Sequence, residues 1–98
     1  MLEYVRPTRA FERDIRNLKD DYPRIDEVYA AASRELARDP SVGTPYPHPK
    51  IGNAYLFLTT PIGYMPVFRI LYRITDDPRP VVVLLRIGRS SRESDIPF

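Results

Sequence analysis

Residues 68–87 carry the pattern that most limits how this chain can fold: two apolar strand candidates joined by a turn, one of them interrupted by arginines. Successive side chains of a strand point to opposite faces. Phe68, Ile70, Tyr72 and Ile74 therefore share one face, and Val67, Arg69, Leu71 and Arg73 share the other. Asp76-Asp77-Pro78 is made of turn formers, and Val81 to Ile87 supplies the returning strand, so the segment reads as a β-hairpin. An arginine within a hydrophobic strand is costly unless its charge is paired or meets an anion at the surface. Two of them on one face mark that face as a candidate site.

A chain of 98 residues forms one small domain, spanning residues 1–98, near the lower size limit for an independent core. Leu, Ile, Val and Phe make up 27 of the 98 residues, the composition of a folded chain. The lack of cysteine excludes a disulfide framework, a thiolate nucleophile and a cysteine-ligated metal. No apolar run approaches the ~20 residues that cross a bilayer. The N-terminal segment has no signal-peptide core, so a cytoplasmic location without membrane contact is expected. Residues 1–45 hold eight basic and nine acidic side chains, residues 46–98 seven basic and four acidic, and Arg outnumbers Lys thirteen to two. The planar fork of arginine suits bidentate phosphate contacts, so the C-terminal half is expected to meet an anionic partner.

Leu2 to Arg6 is a short strand candidate ending at Pro7. Thr8 can cap a helix whose apolar residues Phe11, Ile15 and Leu18 fall at i, i+4 and i+7. Pro23 suits the first turn of a second helix, with Ile25, Val28, Ala32 and Leu36 as its stripe and Asp39-Pro40 as its stop. Helices joined this tightly form an antiparallel hairpin. Pro40 to Pro49 holds four prolines and a glycine and reads as an irregular loop; Tyr55 to Thr60 is the next strand. The expected fold is α+β in the order β-α-α-β-β-β, a helical hairpin on one face of a mostly antiparallel four-stranded sheet.

These residues resemble the RelE/ParE superfamily of bacterial and archaeal toxin–antitoxin toxins over nearly the whole chain. The segment AFERDIRNLKDDYPRIDEV is similar to its helical hairpin, HPKIGN at 48–53 to the H-x-x-x-G-N segment of one RelE-type subgroup, FRILYRITDD at 68–77 to its central strand, and VVVLLRIGR at 81–89 to its last strand. The resemblance implies a type II toxin with a cognate antitoxin as partner. On the RelE arm it implies a metal-independent, ribosome-dependent endoribonuclease that cuts mRNA. The tail SRESDIPF also resembles the arginine-aspartate tail of ParE-type members, which act on DNA gyrase and do not cut RNA. An inactive member that survives as a binding protein is a third reading.

Cleaving RNA through its own 2′-hydroxyl needs a base, an acid and stabilisation of a doubly charged phosphorane. His48 is the one side chain whose ordinary pKa suits proton transfer near neutrality. Arg69 matches the family's central-strand arginine and is expected to stabilise the phosphorane. Arg89 follows Gly88 at the end of the last strand and completes the expected catalytic set. Lys50, Arg73, Arg86 and Arg92 are expected to hold RNA phosphates. Tyr72 is the aromatic of that RNA-binding set, although it shares the face of Phe68 and Ile70 and reads first as core. Tyr46, Tyr55 and Tyr64 are equivalent stacking platforms for a splayed base. With one histidine, no cysteine and no phosphate-cradling glycine loop, neither a metal nor a cofactor is expected.

Overall fold

The computed structural model describes residues 4–50, 52–76 and 78–90. Strand β1 (Val5–Pro7) leads into helix α1 (Arg9–Lys19), helix α2 (Ile25–Arg38) and a single 3₁₀ turn, Pro40–Val42. Strands β2 (Thr44–His48), β3 (Gly52–Leu58), β4 (Phe68–Ile74) and β5 (Val82–Arg89) follow. They form one five-stranded sheet in the order β1-β5-β4-β3-β2, with only the β1–β5 pair parallel.

Thr8 starts α1 for the expected reason and adds a tie to the sheet. Its Oγ1 accepts the Phe11 N–H at 3.2 Å, satisfying one of the helix's orphan donors. The same hydroxyl donates to the Leu84 carbonyl at 2.9 Å, so the cap also fixes the helix against β5. Phe11 and Ile15 are buried, as are Ile25, Val28, Ala32 and Leu36 of α2. Phe11 meets Tyr29 edge-on, with ring centroids 5.3 Å apart, which joins the two helices. Pro23 lies just before the N-cap Arg24 and not in the first turn of α2, in a turn closed by Ile25 N–H donating to the Tyr22 carbonyl. Arg24 then precedes α2 and pairs with Glu27.

The fifth strand corrects the expected four. Thr44–His48 lies in the proline-rich segment read as a loop, yet it pairs along its whole length with β3, Thr44 opposite Leu56 and His48 opposite Gly52. Alternate residues of a strand turn their N–H groups to the same side. Pro45 and Pro47 are two apart, so both missing donors fall on the outer, unpaired edge, where proline is tolerated. Turn-rich composition concealed an edge strand.

The helices cover one face of the sheet. Phe57, Phe68, Ile70, Tyr72, Val82, Leu84 and Ile87 bury themselves there with the helical stripes. In β5 the pairing skips from Leu84 opposite Tyr72 to Arg86 opposite Leu71, leaving Leu85 as an extra residue. That bulge resets the alternation, which is why Val82, Leu84 and Ile87 can all face the core.

Candidate functional site

The sheet's second face is built by the alternate residues, and the register orders them in rows. One row runs Arg6, Val83, Arg73 from β1 across β5 to β4. One step along β3 from the Tyr55–Tyr72 pair, Ala54 and its partner Tyr46 extend that row to β2. A second row holds Arg86, Leu71, Leu56 and Thr44. A third holds Gly88, Arg69 and Leu58. Leu71 is fully buried in the middle, whereas Leu58 is 59% exposed, an unusual position for a large apolar side chain.

Arg69 is half-buried on the central strand, with Leu58 on one side and Gly88 on the other. His48 ends β2 opposite Gly52. Its Nδ1 accepts the Lys50 backbone N–H at 3.1 Å, and its ring lies 6.3 Å from that of Tyr46. Lys50 itself is exposed at the tip of the β2–β3 hairpin. Gly52, level with His48, and Leu58, level with Arg69, stand at the two ends of β3. Six residues of strand separate them, or about 20 Å at ~3.3 Å per residue. His48 and Arg69 therefore stand at opposite ends of the face, beyond joint reach of one phosphate.

Arg89 is exposed at the end of β5 beside the Arg69 row, but its partner is Phe68, so its register assigns it to the helix-side face. Arg73 is exposed near the His48 end. Arg86 is engaged by the first helix. Its Nε and Nη2 donate to Asp14 at 2.7 and 3.0 Å, and the Ile87 N–H donates to the same carboxylate at 3.0 Å. Hydrogen bonding to Asp14 raises the Arg86 pKa above its ordinary value. That guanidinium works as a strut between α1 and β5. Arg92 and the tail from residue 91 lie outside the described residues.

Tyr72 is a correction. Its ring is fully buried and stacked on Tyr55, centroids 5.4 Å apart, so no base can reach it. Its hydroxyl donates to the Pro40 carbonyl at 2.7 Å and accepts the Gly43 N–H at 3.0 Å, which anchors the 3₁₀ turn. Burial raises its pKa above the ordinary tyrosine value, partly offset by the Gly43 hydrogen bond. Arg6 is the basic residue that reading the sequence missed. Its signal was faint: an arginine closing a strand candidate, whose neighbour in the sheet is decided by a partner some eighty residues away.

Among the described residues no three His, Cys, Asp or Glu side chains gather into a set able to hold a metal ion. No helix among them is long and apolar enough to cross a membrane.

The family model of the ParE toxin of the type II toxin–antitoxin system parDE matches residues 5–94. Among solved structures, the chain is similar to a chain of the toxin–antitoxin complex RelBE2 from Mycobacterium tuberculosis. The two are 29% identical, with a TM-score of 0.64, covering 90% of this chain and 98% of that one. No curated protein matches.

Proposed function

The chain belongs to the ParE toxin family of type II toxin–antitoxin systems, and from that premise we propose that it disables its target by binding and not by cutting. One observation carries this reading: about 20 Å of strand separates the sole imidazole from Arg69. In the sheet register, Arg69 stands between Leu58 of β3 and Gly88 of β5. Positive charge can stabilise a phosphorane, but transesterification also needs a base and an acid within hydrogen-bond reach.

The target that fits is DNA gyrase, as in ParE-type members, which puts the toxin in the cytoplasm with a cognate antitoxin as its neutralising partner. Arg69 beside the exposed Leu58 then serves as a docking anchor, since an arginine next to an apolar contact is a common source of binding energy once a partner covers both. A supercoiling assay tests the reading. Purified toxin is expected to inhibit gyrase, antitoxin to relieve the inhibition, and Arg69→Ala to weaken it at least tenfold. Unimpaired supercoiling at high toxin concentration would refute it.

A second reading, ribosome-dependent cleavage of mRNA, draws support from the likeness to the RelBE2 complex and from Arg69 standing on the central strand. Under it, His48 and Arg69 would serve different phosphates. Mapping mRNA 5′ ends in a translating extract separates the two readings, because only cleavage creates new ends.

A further inference from the structure

At the opposite end of β4 from Arg69, four parts of the chain meet around a cavity: Tyr4 just before β1, the last turn of α2, the 3₁₀ turn and the β4–β5 connection. The cavity measures about 500 Å³, within the roughly 300–1,000 Å³ of small-molecule sites. Its walls are held in place. The Pro40 carbonyl accepts the Tyr72 hydroxyl at 2.7 Å. Thr75 pins the base of the β4–β5 connection: its N–H donates to the Val81 carbonyl at 3.0 Å, and its hydroxyl accepts the Val81 N–H at 3.0 Å. Pro78 and Pro80 restrict the backbone on either side of Arg79.

Two polar features of opposite sense line this apolar frame. Arg79 is exposed, and among the described residues no carboxylate forms an ion pair with it. The second feature is the end of α2, where the carbonyls of Leu36 and Ala37 lack their helical donors. Leu36 would receive the N–H of residue 40, a proline without one. The Ser41 N–H that would serve Ala37 donates instead to the Asp39 carboxylate at 3.1 Å. A helix C-terminus also carries partial negative charge, which favours a cation.

We propose that this cavity binds an α-amino acid with an apolar side chain. Its carboxylate takes the planar fork of Arg79. Its ammonium donates to the carbonyls that end α2, and its side chain rests on Leu36, Tyr4 and the prolines. A doubly charged phosphate fits less well. Arg79 is the one cation among the described lining residues, and the helix end opposes a second negative charge. The site does not depend on which target the toxin disables.

Protein-observed NMR of the full-length toxin, titrated with L-phenylalanine, tests the proposal. Saturable shifts are expected at the Tyr4, Ala37 and Arg79 amides. Arg79→Gln is expected to weaken binding at least tenfold while the rest of its spectrum superimposes on that of the unaltered chain. Arg13→Gln, an exposed change on α1, is expected to leave binding unchanged. Hydrocinnamate, which lacks the ammonium, and phenethylamine, which lacks the carboxylate, are each expected to bind at least tenfold more weakly. Only hydrocinnamate is expected to respond to Arg79→Gln. The proposal is overturned if L-phenylalanine gives no saturable shift up to its solubility limit, or if the shifts fall elsewhere in the fold. It is also overturned if Arg79→Gln binds as tightly as the unaltered chain, or if hydrocinnamate binds as well as the amino acid.

Discussion

At the scale of single residues, space and burial decide more than charge does. Gly43 has an ordinary backbone, but an added Cβ would come within 2.5 Å of the Tyr72 hydroxyl and 2.8 Å of the Leu56 carbonyl. Gly43→Ala must therefore break the hydroxyl's hydrogen bonds or push the 3₁₀ turn outward. A loss of about 2 kcal/mol is expected in urea unfolding, the usual scale for overpacking plus a stranded polar group. Gly52 contrasts with it. Its added Cβ meets nothing, and only its positive φ of 85° opposes substitution, so Gly52→Ala is expected to cost about 1 kcal/mol.

Tyr72 gives a pH test. An unfolded tyrosine ionises near pH ~10, and burial raises the folded value above that. Above pH ~10 the unfolded chain loses a proton that the native one keeps, so stability falls as pH rises. In Tyr72→Phe that alkaline fall is expected to become shallower, with Tyr29, also raised by burial, supplying the remainder. Denaturant midpoints between pH 9 and 11, roughly spanning ordinary tyrosine ionisation, measure it. Tyr72 was legible as core, because strand alternation groups it with Phe68 and Ile70. Its hydroxyl contacts were not legible, since they join residues about thirty positions apart in the chain.

Elements are where reading the sequence succeeded most and failed once. Both helices follow from their apolar spacing and from Thr8, and β4 follows from its alternation. The β2 strand was missed because proline normally argues against strands; only the pairing partner reveals that both prolines face outward. That edge is expected to protect the chain from self-pairing. Replacing Pro45 and Pro47 together by threonine restores two outward N–H donors, and sedimentation velocity is expected to show more self-association than in the unaltered chain. The α1–β5 junction offers a second test. Asp14 is only 12% exposed and satisfies both Arg86 and the Ile87 N–H. Asp14→Ala strands those donors, and a loss of about 2 kcal/mol in urea unfolding is expected, given that Arg86 stays partly solvated.

At the scale of the whole molecule, the sheet separates what the sequence had joined. His48 and Arg69 are 21 positions apart and both belong to resembling motifs, so they read as one catalytic set. Spacing along the chain carries no information about register, and the β2–β3 and β3–β4 pairings carry the imidazole to one end and the central guanidinium to the other. Arg6, overlooked because its partner strand comes last in the chain, joins the His48 end through β5. Among the described residues, the face away from the helices thus carries arginines along its length and the exposed Leu58 beside Arg69.

Mapping mRNA 5′ ends in a translating extract supplied with excess toxin tests the binding-only claim most directly. The expected result is an mRNA profile identical to that without toxin. New 5′ ends that vanish with both His48→Ala and Arg69→Ala would contradict it.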